Sequence, residues 1–288
     1  MRMFRTLMRS LCATALLASG SGCALLSGAT GNLAGGLANA LQKQSDVELV
    51  REGSPAFLLL LDGLLESSPD NPALLLAAAN AQIAYATAFV GEEEMARAAA
   101  MYGKARDYGL RALARNARFR RVMDRPLAEF ETAVPHFRKR DVPALYATAN
   151  AWTGWIVNNP GSMRAMSELP KAMALMRRVM QLDPGYPRGG ADMFMGIYYA
   201  VQPLGAGRDL AKSRVHFEKA FEYAGPDGLL PRVTFAEFYA RYAFDRELFE
   251  QTLKTVVEHE TTDPELRLVN EIARRRARAL LERADDLF

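Results

Sequence analysis

Three stretches of this chain run into a turn on the same phrase. FLLLLDGLLESSPDNP (57–72), AMALMRRVMQLDPGYP (172–187) and RVHFEKAFEYAGPDGL (214–229) superpose on Pro69, Pro184 and Pro226. Nine and five residues before each proline stand Leu60 and Leu64, Leu175 and Val179, Phe217 and Phe221. Apolar pairs four apart share one helix face, and a proline at that distance ends the helix. The alignment therefore predicts that Leu60, Leu175 and Phe217 occupy equivalent inward positions. LFEQTLKTVVEHETTDP (248–264) is a looser fourth copy.

From Pro184 to Pro226 to Pro264 the spacing is 42 and 38 residues, close to a helix-turn-helix unit of the tetratricopeptide (TPR) type with lengthened helices. Each copy has a second helix after its turn: 71–89, 187–201 and 231–244. In these, small residues such as Ala77, Ala78, Ala79 and Ala81 permit close approach, and Phe235, Phe238 and Tyr242 recur at spacings of three and four. No alternating Val/Ile/Thr run marks a strand. Ser45-Asp46-Val47-Glu48 and Thr262-Asp263-Pro264-Glu265 fit the capping box of a helix start, and Pro143 and Pro231 suit a first turn. Two further helices, Glu92 to Ala117 and Val142 to Asn158, fill the interval between the first and second copies. The expected fold is all-α, a TPR-like antiparallel helix-pair array forming one domain over residues 45–288.

The first 22 residues read differently. Arg2, Arg5 and Arg9 precede an apolar run, Leu11 to Ala18, too short for the roughly 20 residues of a spanning helix. Ser19-Gly20-Ser21-Gly22-Cys23 then resembles a bacterial lipobox, with Gly20 where such signals usually have Leu. The expectation is a lipoprotein signal peptide over 1–22, lipidation at Cys23, and a Gly/Ala/Asn-rich tether over 23–44. Ala24 after the cysteine points to the outer membrane and the periplasmic face of the envelope.

All three excess positive charges lie in the signal, so 33 basic side chains remain against 33 acidic ones in the mature part. A balanced chain has no electrostatic footprint for nucleic acid, and runs such as Arg138-Lys139-Arg140 and Arg274-Arg275-Arg276 read as solvated helix faces. The two cysteines are Cys12, removed with the signal, and Cys23. No thiol is left for a disulfide, a zinc site or a nucleophile. His259-Glu260-Thr261-Thr262-Asp263 misses the H-E-x-x-H zinc motif at its second ligand, and capping of the next helix accounts for Thr262. His216-Phe217-Glu218 lacks the cysteines of a deaminase motif, and Gly205-Ala206-Gly207 reads as an inter-helix turn rather than a phosphate loop. Neither G-x-S-x-G nor S-x-x-K occurs. The chain reads as a non-enzyme without a metal or cofactor.

Aromatic residues offer the remaining candidates. Trp152 and Trp155 share a helix with Asn150, and Tyr198 and Tyr199 lie on a repeat helix. Buried indoles need a polar partner, and most such aromatics belong to a core. The inner surface of a helical array also forms ligand grooves, and these five residues mix apolar wall with orienting polar groups.

The phrases ARDYGLRAL (105–113), DVPALYATANAW (141–152), RRVMQLDPGYPRGG (177–190), SRVHFEKAFEYAG (213–225) and RRRARALLERADDLF (274–288), after a lipoprotein start, resemble the T-component family of the tripartite ATP-independent periplasmic (TRAP) transporters. The resemblance implies a periplasmic lipoprotein of TPR-like helix pairs, trimeric, that associates with the solute-binding P-component and holds or passes an apolar ligand. Two alternatives from other classes stand beside it: a general envelope TPR scaffold lipoprotein without a ligand channel, and a lipoprotein hydrolase, for which no clustered nucleophile and base is present.

Overall fold

The computed structural model describes residues 35–37, 39–205 and 207–288, so Cys23 and the signal lie outside the described residues. Among the described residues every regular element is helical. Helices α1 (Val47–Ser67) and α2 (Pro72–Phe89) form the first pair, and α3 (Met95–Leu113) returns along α2. Short α4 (Ala117–Val122) and α5 (Leu127–Ala133) lead to α6 (Val142–Val157), which packs on α2 and α3. After α7 (Met163–Ser167), the helices α8 (Leu169–Leu182), α9 (Gly190–Val201) and α10 (Leu210–Ala224) continue the series, α8 on α6, α9 on α8 and α10 on α9. The chain closes with α11 (Leu230–Thr234), a π-helical turn (Phe235–Ala240), α12 (Arg246–Glu258), α13 (Arg267–Glu282) and α14 (Ala284–Leu287).

Helix starts follow acceptor chemistry. Asp46 Oδ1 accepts from the Leu49 amide at 3.0 Å, Asn71 caps α2, Asp209 caps α10 and Asp245 caps α12. The cap before α1 is thus Asp46 rather than Ser45, and Asp263, not Thr262, caps the turn at Pro264. In both motifs the carboxylate beside the hydroxyl residue takes the cap, because it adds charge to the hydrogen bond at the positive end of a helix. α3 stops at Leu113, short of the expected Ala117, because Asn116 caps α4 with both the Arg118 and Phe119 amides.

Three apolar clusters run along the molecule. The N-terminal one joins Leu61, Leu65, Leu74 and Leu75 to Ala105 and Ala151. The central one holds Phe119, Phe130, Phe137, Trp152, Leu175, Val179 and Phe194. The C-terminal one gathers Val233, Phe249, Leu253, Val256, Ala273 and Ala277. Leu175 and Phe217 are fully buried as the repeat alignment predicts, but Leu60 is 48 % exposed and Leu61 takes the inward position at 1 %. The run of four leucines, 58–61, leaves the phase of α1 open, and contact with α2 selects a face one residue along. α3 and α6 approach closely because Gly109 lies against Thr148, where a β-carbon would stand 2.3 Å from the hydroxyl oxygen. Gly196 does the same for Phe217 between α9 and α10.

The helix expected over 231–244 contains the π turn, which adds a residue to one turn and breaks the three-and-four spacing. Phe235 is buried, Phe238 and Tyr242 are half-buried, and Glu237 turns inward to receive the Arg276 guanidinium on both oxygens, at 2.8 and 2.5 Å. The two ends of the array meet: α13 touches α1, Arg275 pairs with Glu48, and Lys43 reaches Glu265 at 2.8 Å.

Candidate functional site

α6 is apolar on most of its surface because it lies between α2, α3 and α8. Trp152 and Trp155 project from its C-terminal half. Trp152 is 3 % exposed, and its indole Nε1 donates to Glu168 Oε2 at 2.7 Å. Arg106 on α3 sits over both indoles, 4.5 Å from the Trp155 ring centre and 5.9 Å from that of Trp152, and approaches Glu168 at 3.6 Å. A guanidinium above two indole faces combines cation–π attraction with a carboxylate neighbour, which fixes both rings. Trp155 is half-buried, so its outer edge remains accessible.

Asn150 belongs to a polar line on the same helix. Tyr146, Asn150 and Thr153 follow at spacings of four and three, the period that keeps side chains on one face. The Tyr146 hydroxyl hydrogen-bonds Asn150, and its ring meets Tyr186 edge-on at 5.5 Å. Burial pushes the Tyr146 phenol up to about 12, against the smaller lowering effect of Asn150. Thr153 Oγ1 is buried with no hydrogen-bond partner. A buried hydroxyl without a partner costs about 1–3 kcal/mol, which a bound polar group would recover.

Tyr198 and Tyr199 lie near the end of α9, packed against the central cluster. Their rings meet edge-on at 5.3 Å. Tyr199 stacks on His216 of α10 at 5.6 Å and 11°, and Lys212 Nζ lies 5.5 Å over the same ring. His216 Nδ1 meets Asp192 Oδ1 at 2.7 Å, and Asp192 is 2 % exposed. A carboxylate accepts, so the proton of this contact is on Nδ1 and the ring's orientation is fixed from behind. Tyr198, Tyr199, Tyr146 and Trp155 all border the one core that contains Trp152.

Residue reasoning missed Arg106, Glu168, Asp192, Tyr146 and Thr153. Thr153 and Tyr146 were findable from their spacing with Asn150. Glu168 was not, since it lies 16 residues from the indole it receives. The histidine readings change as well: His259 Nε2 meets Asp227 at 2.8 Å, and the Thr262 hydroxyl, expected as a cap, donates to that same aspartate at 2.6 Å. Among the described residues no cluster of His, Cys, Asp and Glu has the arrangement of a metal site.

Residues 43–288 match the family model of the TRAP transporter T-component. The chain belongs to this family. It is a family of transport components rather than of enzymes, and membership implies association with a TRAP transporter. No curated protein matches the chain. The matched range begins at Lys43, which pairs with Glu265, and it takes in every aromatic described above.

Proposed function

We propose that this TRAP T-component is a periplasmic lipoprotein, anchored through a lipid on Cys23 at the outer membrane, that engages the solute-binding P-component and holds an apolar or amphipathic ligand beside α6 and α9. Family membership over 43–288 carries the transporter role. The ligand part is supported by the buried, unpartnered Thr153 hydroxyl on the Tyr146–Asn150–Thr153 line of α6 and by Trp155, Tyr198 and Tyr199, which border the central cluster. We read the successive helix pairs as a TPR-like array and the assembly as a trimer.

Titrating the purified protein with its cognate P-component and with hydrophobic ligands, while following tryptophan emission, tests the reading. Saturable association and an emission change from Trp155 are expected, with Asn150→Leu and Thr153→Val weakening ligand binding while leaving the fold intact. No association with the P-component up to high concentration, with no emission change, favours the envelope scaffold. Metabolic labelling with a fatty acid should mark the wild type and not Cys23→Ser; label surviving the substitution removes the anchor from the proposal.

A further inference from the structure

The mature chain is charge-balanced, yet residues 115–140 hold eight arginines and lysines against three acids, Asp124, Glu129 and Glu131. Part of this excess converges. Arg118 and Arg121 on α4 and His136 just beyond α5 line a hollow of about 350 Å³ walled by Val122, Thr132 and Ala133. Among the described residues no carboxylate lines it: Glu131 pairs with Arg177 at 3.5 Å, and the Thr132 hydroxyl donates to the Glu129 carbonyl at 2.6 Å.

Arg118 Nη1 lies 2.8 Å from His136 Nδ1 and 2.9 Å from Nε2. A guanidinium can only donate, so a ring nitrogen of His136 accepts from Arg118, which holds that arginine at the edge of the hollow. Among the described residues neither Arg118 nor Arg121 has a carboxylate in ion-pair range. Two cations held together without a counter-charge repel, and the arrangement gains only when an anion enters. One guanidinium fork saturates a planar carboxylate. Two forks on successive turns of α4, beside the His136 ring, suit a tetrahedral group with three terminal oxygens, and the volume leaves space for whatever is esterified to it.

We propose that the hollow between α4 and His136 binds an oxyanion of the phosphate class, supplied either as a free phosphate or phosphomonoester or as the phosphate of an anionic lipid headgroup. The site is separate from the aromatic residues of α6 and α9 and does not depend on the transporter reading.

The test uses the full lipoprotein in detergent, with inorganic phosphate as probe against chloride at matched ionic strength. Phosphate well above its dissociation constant should raise the melting temperature by a few degrees in a chain of this size. The double variant Arg118→Gln/Arg121→Gln should lose that rise and weaken phosphate binding by calorimetry at least about tenfold. It should also melt no lower than wild type in chloride, because relieved repulsion offsets any lost contact. Arg120→Gln/Arg125→Gln removes the same charge outside the hollow and should keep the rise. In a second arm, phosphatidylglycerol vesicles replace phosphate, with phosphatidylcholine as control. Preference for phosphatidylglycerol lost in the Arg118/Arg121 variant assigns a headgroup, and a phosphate response without that preference assigns a free oxyanion. Equal stabilisation by chloride, or a phosphate response surviving in the Arg118/Arg121 variant, overturns the proposal.

Discussion

Trp152 contributes to stability through two groups at once. Its ring lies in the central core, edge-on to Phe130 at 6.1 Å, and its one polar atom is answered by Glu168. Trp152→Ala should cost about 3–5 kcal/mol by chemical denaturation, through lost burial and a cavity. Glu168→Ala should cost about 1–3 kcal/mol by leaving the indole N–H unpaired, and Glu168→Gln, which keeps an acceptor, should cost less. An unaltered denaturation midpoint in Glu168→Ala would show that the indole proton has another partner. Asp227 acts at the same scale. The Thr262 hydroxyl, then His259, then the Asp263 amide hold its carboxyl well below the usual carboxylate range. A folded-state value depressed in this way gives stability that is present above the unfolded value of about 3.8 and is lost as pH falls below it. Melting temperature followed from pH 6 down to pH 3 should therefore drop less steeply in Asp227→Asn than in wild type, from a lower starting point. Parallel curves would exclude Asp227 from the acid limb.

At the scale of single helices, α1 gives the sharpest contrast between sequence and structure. Leu60→Ala should change stability by less than about 0.5 kcal/mol, as surface substitutions do, whereas Leu61→Ala should cost about 2–5 kcal/mol. Urea denaturation of the two variants side by side checks this, and equal losses would mean that both leucines are covered in solution. Helix existence and order were legible because proline, capping residues and the three-and-four spacing are local signals, read without knowing the neighbours. α6 was placed to within a residue at each end for that reason. What was not legible depended on partners far along the chain. The phase of α1 is chosen by α2, since FLLLL offers an apolar face at every angle. The π turn at Phe235–Ala240 presents Glu237 to Arg276, 39 residues away, and no local signal announces that pairing. The candidate site divides in the same way. Trp152, Trp155, Asn150, Tyr198 and Tyr199 were visible as residue types on helices, while the groups that orient them are non-local: Arg106 comes from α3, Glu168 from the junction of α7 and α8, and Asp192 acts on Tyr199 through His216 of α10.

Over the whole molecule, α6 packs on α2, α3 and α8, α9 follows on α8 and α10 on α9, and α13 returns to touch α1. The apolar core falls into three clusters, and the contact of α13 with α1 joins the helix that opens the first to one that belongs to the last. The polar contribution there is modest. Arg275 with Glu48 and Lys43 with Glu265 are ion pairs with both partners about half exposed, the class that contributes little net stability and weakens with salt. Their effect should instead be local. Val47 and Val50, 3 % and 4 % exposed, anchor the start of α1, and the ion pairs hold that first turn against the end of the array. Glu48→Gln with Glu265→Gln should leave the global denaturation midpoint nearly unchanged but speed hydrogen exchange at the first turns of α1, whose opening free energy lies below the global value. Added salt should bring the wild type toward the exchange rates of the variant at those amides while leaving α6 and α8 unaffected. Exchange rising uniformly across all helices would show instead that the end-to-end contact is part of the cooperative core.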